Sequence, residues 1–202
     1  ERVVDRYEGV IDHWDVWNEP WNHMWWAIDR EDRDGGPGTY ITSASAQADY
    51  AALQAVAFER AKRASDRAVI VGINTTDGEP GTDNFGGREW TAGVVAAGGL
   101  STTDVAGYHQ YTSGANLFPD DAASRGKATA VGEIVAARPE MPIWFTEGQA
   151  ALGYTGDGMY RHTIVHDNDE DVLASGDRLV RHVISKLTLG VEKTFIYSMH
   201  GY

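Results

Sequence analysis

The sequence predicts an α/β fold, a parallel sheet covered by helices in the layout of a (β/α)8 TIM barrel truncated to strands 4–8. Three observations carry this prediction. Short apolar, β-branched runs alternate with longer segments of helical period, the order that favours parallel strands joined by helical crossovers. Each strand run ends in a polar residue, in turn Glu19, Asn74, His109, Glu147 and His200, with room between neighbours for one strand-helix unit and a loop. In an eight-stranded barrel all such strand tips converge on one mouth, where the chemistry sits. Finally, only five strands are counted in 202 residues, whereas a full barrel typically takes about 250. The expectation is therefore the C-terminal five-eighths of one barrel, a single domain over residues 1–202 with its N-terminal strands missing. A complete five-stranded open α/β sheet is the alternative that the strand pattern leaves open. A piece of a barrel would present unpaired edges at strands four and eight, and the isolated chain is expected to be unstable for that reason.

The elements follow in order. Glu1 to Gly9 has helical spacing in Val3, Val4 and Tyr7, and Ile11 to Trp17 then reads as a buried strand. Ser45 to Ala64 is predicted as a helix behind Ser caps, with Leu53, Val56, Ala57 and Ala61 on its buried face. Ala68 to Ile73 is a strand of continuous β-branched character ending at Asn74, and Arg88 to Ala97 is a short helix closed by Gly98 and Gly99. Asp104 to Tyr111 is the next strand and ends in His-Gln-Tyr. A weaker helix, interrupted by Gly126 and Gly132, covers about Asp121 to Ala137 before the strand from Ile143 to Thr146. Glu170 to Leu189 carries the strongest apolar stripe, Leu173, Val180, Val183, Ile184 and Leu187, and stops at Gly190. Lys193 to Met199 is the final strand.

Composition narrows the partners. A net charge of -13 would repel a phosphate backbone and argues against nucleic acid, while a neutral sugar polymer would meet no such repulsion. No apolar run approaches the ~18 residues that span a bilayer, so no membrane partner is expected. The absence of cysteine removes disulfides and thiolate metal sites. It leaves the compartment open, and a secreted or periplasmic parent protein is compatible with it. Oligomeric state is not legible.

The segment Trp14-Asp15-Val16-Trp17-Asn18-Glu19-Pro20 places a carboxylate directly after a short apolar strand and before a proline that stops it. The segment Pro142-Ile143-Trp144-Phe145-Thr146-Glu147-Gly148 repeats that arrangement. Two glutamates at strand tips, both facing one mouth, are the minimum equipment for double-displacement hydrolysis of a glycosidic bond. Either alone would be an ordinary surface acid; the pairing, with Asn18 beside one and His109 and Tyr111 between them, gives the pattern its weight. Trp21, Trp25 and Trp26 follow the proline on a loop predicted to overhang the mouth, where indole faces would suit a sugar. Trp90 and Trp144 read as core. The acidic run from Asp167 to Asp171 fails the EF-hand pattern, with Val172 where a glycine is needed, and is expected to charge the first turn of the next helix.

Trp-Asn-Glu-Pro at Trp17 to Pro20, His-Gln-Tyr at His109 to Tyr111 and Phe-Thr-Glu-Gly at Phe145 to Gly148 resemble, in this order, the fourth-, sixth- and seventh-strand motifs of the clan A glycoside hydrolases, most closely families 39 and 5. The resemblance implies a retaining β-glycoside hydrolase with Glu19 as acid/base and Glu147 as nucleophile. It places Asn18 on the sugar 2-hydroxyl, Tyr111 on the nucleophile and His109 along the sugar site. His200 ends the last strand, where many relatives carry a Trp under the sugar, and is counted with Trp21 and Trp25 among the substrate-binding residues. An oligo- or polysaccharide substrate is implied, with neither cofactor nor metal.

Retention requires the two carboxyls ~5–5.5 Å apart. At that distance, with an effective dielectric near 20, two like charges repel by roughly 3 kcal/mol, so the pair holds one proton near neutrality. That proton goes to the leaving oxygen, and once the sugar has esterified the nucleophile the emptied carboxylate takes a proton from water. Two other readings compete: a carbohydrate-binding barrel without hydrolysis, and a metal-assisted hydrolase using His109, His200 and acidic neighbours.

Overall fold

The computed structural model describes residues 1–22, 25–26, 43–76, 86–112, 129–150 and 169–197. Its elements in chain order are α1 (Arg2–Arg6), β1 (His13–Asp15), α2 (Ala44–Ala64), β2 (Val69–Thr76), α3 (Gly86–Ala96), the 3-10 turn η1 (Gly99–Thr102), β3 (Val105–Thr112), α4 (Thr129–Ala137), β4 (Ile143–Ala150), α5 (Asp169–Thr188) and β5 (Val191–Thr194). The strands form one sheet in the order β1-β2-β3-β4-β5, every neighbouring pair parallel. Sequential parallel strands with helical crossovers are half of a (β/α)8 barrel, as the strand pattern predicted. Among the described residues no helix is long and apolar enough to cross a membrane.

Strand alternation sorts the side chains onto two faces. Ile73, Ala106, Tyr108, Ile143, Phe145 and Val191 point to the helices and join Tyr50 of α2, Trp90 and Val94 of α3 and Ile134 of α4 in the main core. Val71, Val105 and Trp144 form a separate cluster with Val69. Trp144 is core of that second kind: its indole lies 4.9 Å from the ring of His13, under the Lys193 ammonium at 3.9 Å. His13 thereby has a packing role.

Several boundaries move, each for a local reason. β1 is only three residues long, because the backbone turns left-handed at Trp17 (φ 71) and Glu19 (φ 45). β2 runs on past Ile73 to Thr76 through a register shift between Gly72 and Thr75, where Ile73 and Asn74 also adopt positive φ. The final strand starts two residues early and ends at Thr194. Gly98 (φ 88) closes α3 and opens η1, a turn that carries no periodicity to be predicted from.

Two helices present a different face from the one expected. In α2 the buried positions are Ala46, Gln47, Tyr50, Ala51, Gln54 and Ala61, and Val56 is exposed. The rotation follows from Gln54, which donates to the carbonyl of Gly99 at 2.7 Å and accepts from the backbone N–H of Ile73 at 2.8 Å, tying the helix to β2 and η1. In α5, Val180, Ile184 and Leu187 of the predicted stripe are exposed, while His182 and Lys186 are buried. Aromatic faces explain the inversion: the Lys186 ammonium sits 5.0 Å from the Phe145 ring centre and 5.4 Å from that of Tyr108, and the His182 ring lies 5.1 Å from Phe145. The predicted helix segment from Asp121 to residue 128, Leu173 of the α5 stripe, the acidic run before Asp169, and His200 lie outside the residues or side chains described.

Candidate active site

The segment that follows β1 and the strands β3 and β4 bring Glu19, His109 and Glu147 to one place. Parallel register sets two of them side by side, since His109 pairs with Glu147 across β3 and β4, just past a register shift at Tyr108. Beyond β1, Val16 adds one more ladder bond, from its N–H to the carbonyl of Val71 at 3.1 Å. The chain then turns at Trp17, and the Asn22 N–H closes the turn on the Glu19 carbonyl at 2.9 Å. Non-glycine residues in the left-handed region persist where their surroundings over-determine them.

Nδ1 of His109 lies 3.0 Å from Oε1 of Glu19 and 3.9 Å from Oε2 of Glu147. One oxygen of each glutamate and that nitrogen all fall within 4.8 Å of one another. The imidazole is 4% exposed, the glutamates partly open. The second oxygen of Glu19, Oε2, accepts from the side-chain amide of Asn22 at 3.4 Å. Gly148, directly after Glu147, is left-handed (φ 142), and a Cβ there would stand 2.0 Å from the carbonyl oxygen of Gln110. Only glycine fits that bend, which fixes where Glu147 leaves its strand. The same Glu19-His109-Glu147 group could hold a metal ion, with one imidazole nitrogen and two carboxylate oxygens as ligand atoms.

The remaining sequence-predicted residues divide. Asn18 is exposed beside Glu19. Trp25 is 49% exposed, whereas Trp21 and Trp26 pack against the main core. The Trp26 indole donates to the Ala46 carbonyl at 3.2 Å, anchoring this segment on α2. Tyr111 belongs to β3, two residues beyond His109, and its side chain lies outside the described ones, as does all of His200.

Three residues near the cluster were given no site role by the sequence. Trp17 is 52% exposed, donates its indole N–H to the carbonyl of Trp25 at 3.0 Å and meets Trp26 edge-on at 5.4 Å. It was read as part of the strand, and only its backbone turn brings it to the surface. Asn74 donates its amide to Asp15 and to the carbonyls of Val16 and Trp17. Asp15 is the third acid of the neighbourhood, and its only signal was its place in a strand of otherwise apolar character.

The Asp15 carboxyl is pushed from its ordinary 3.8 up to about 6, chiefly because the surrounding protein strips it of water; the Asn74 amide and His109 oppose the shift and the Glu147 charge adds to it. Asp15 keeps an exposed surface, so solvent moderates the effect. The sign is fixed by proton uptake. Between its ordinary value and about 6 the folded chain retains a proton that the unfolded chain has released, so stability contributed by Asp15 falls as pH rises through that window and is level above it. Melting temperatures from pH 4 to 7 are expected to decline less in Asp15→Asn, which keeps the acceptor for Asn74, than in the parent. Superimposable pH curves would remove Asp15 as the source.

Comparison with known proteins gives the fold a counterpart. No protein-family model matches the chain, and no curated protein matches it. Among solved structures, the catalytic core of a xylanase A matches with a TM-score of 0.64 and 19% identity over 98% of this chain and 57% of that one. A thermostable mutant of a xylanase, Xyn10A from Cellvibrio japonicus, matches with a TM-score of 0.61, again at 19% identity over 98% of this chain and 57% of that one. The chain thus spans little more than half the length of these structures, and the likeness is one of fold.

Proposed function

We propose that the chain carries the active centre of a retaining β-glycoside hydrolase, with its five strands serving as strands four to eight of a catalytic barrel. Glu147 is the nucleophile and Glu19 the acid/base, and the substrate is an oligo- or polysaccharide. The observation that carries the proposal is the Glu19-His109-Glu147 cluster, in which one oxygen of each glutamate and one imidazole nitrogen lie within 4.8 Å of one another, with His109 and Glu147 paired on neighbouring parallel strands. That spacing suits a direct attack by one carboxylate and leaves no room for the water that an inverting pair would hold between them. Attack by Glu147 on the anomeric carbon forms the ester as the glycosidic C–O bond breaks, and the leaving oxygen takes the proton from Glu19. In the second half, water attacks the same carbon, gives its proton to Glu19 and releases Glu147. The His109 nitrogen stands between the two carboxylates and stabilises the charge that passes from one to the other.

The likeness to xylanase structures makes xylan the first polymer to test, and Asn18, Trp17 and Trp25, all exposed, are the proposed sugar contacts. The resemblance to families 39 and 5 rests on the strand-tip motifs alone. Proton NMR of the first turnovers of a β-xyloside or β-glucoside is expected to show the β-hemiacetal before mutarotation. Initial α-product would replace the retaining mechanism by an inverting one. Saturable sugar binding with no new reducing ends would leave a binding barrel, and loss of activity on chelation would move the chemistry to a metal.

A further inference from the structure

We propose that Asn74 is a positioning residue for Glu19, acting through the backbone that carries it; the assignment rests on Glu19 being the acid/base. Asn74 is 1% exposed and its backbone is left-handed (φ 43). The register shift in β2 sets Ile73 and Asn74 opposite the single residue Gly107 of β3, and such an extra residue re-aims a side chain. Here the amide nitrogen is brought 2.8 Å from the Val16 carbonyl and 3.0 Å from the Trp17 carbonyl, with the Asp15 carboxylate also in reach. Two N–H groups thus serve three successive residues, one of them shared.

Those three residues lead directly into the exposed Asn18 and the partly buried Glu19. The Tyr50 hydroxyl donates to the Val16 carbonyl at 3.1 Å, and Asn74 reaches one residue further, to the carbonyl of Trp17, the first of the two left-handed residues in the turn. Space for the amide is provided by Gly107, where a Cβ would stand 2.6 Å from Asn74 Oδ1. A β2 side chain therefore holds the turn at φ 71 and with it the direction in which Glu19 leaves the sheet.

A displaced acid penalises only the step that needs its proton. In the full protein, Asn74→Ala is expected to lower kcat on unactivated xylo-oligosaccharides by about 10- to 100-fold with KM changed little, since small misplacements of a catalytic group carry penalties of that order. On aryl xylosides with acidic phenol leaving groups the loss in the glycosylation step should be several-fold at most. Equal losses on both substrates would overturn the positioning role. If Asn74→Ala does not fold, Gly107→Ala crowds the same amide without removing it and is expected to give the same unequal losses; equal losses there overturn it as well. Glu19→Gln, assayed in parallel, separates the two ideas. If that variant lacks the leaving-group dependence, the acid/base assignment fails; if it has the dependence and the Asn74 variant does not, only the positioning role fails.

Discussion

Glu147→Ala is expected to reduce turnover on the order of 10⁴- to 10⁶-fold, the scale seen when a covalent nucleophile is deleted. The carboxylate forms the bond that splits one difficult displacement into two easier ones, and neither His109 nor Asp15 can replace it. His109 is held 3.0 Å from Glu19, and Asp15 belongs to the Asn74 bond. Removing the side chain also leaves a gap large enough for a small anion. Added azide should enter it, attack the anomeric carbon from the vacated side while Glu19 still protonates the leaving oxygen, and give a glycosyl azide of inverted configuration. Undiminished activity in this variant would remove Glu147 from the mechanism.

Glu19→Gln should cost about 10²- to 10⁴-fold on substrates with poor leaving groups, the usual worth of a positioned general acid. Its signature is selectivity. An aryl glycoside with an acidic phenol needs no proton on departure, so glycosylation proceeds and the ester at Glu147 accumulates as a burst, because water now lacks its base. Azide needs no deprotonation and should relieve this second block, giving a glycosyl azide of retained configuration. Opposite azide stereochemistry in the two variants assigns the two carboxylates to opposite faces of the sugar. The same stereochemistry in both, or a rate equally reduced for all leaving groups, would contradict the roles proposed.

The parallel class and the order of the strands were legible because apolar runs alternate with helical segments, and the candidate residues stood out because a glutamate or histidine after an apolar run leaves a plain linear signal, although β3 and β4 continue beyond His109 and Glu147. Side-chain packing was less so. The α2 face was misread since Gln47 and Gln54 look like surface residues, and their burial depends on the Glu89 carbonyl in α3, the Gly99 carbonyl in η1 and the Ile73 N–H in β2, partners that no local pattern reveals. In α5 the apolar stripe was real in sequence, but its members Val180, Ile184 and Leu187 face outward, because the inward side is chosen by aromatic rings on β3 and β4. Asn74 was recognised as a strand tip, yet its three partners lie 57 to 59 positions away in the chain. Such a contact follows from register, and register shifts such as that in β2 are set by tertiary packing.

The two proposed catalytic carboxylates are anchored unequally. β1 contributes three register pairs, all to β2, whereas β4 has seven with β3 and three more with β5. Local opening of a folded chain starts where backbone bonds are fewest. In this chain taken by itself, thermal fluctuation should therefore free Glu19 while Glu147 stays in place.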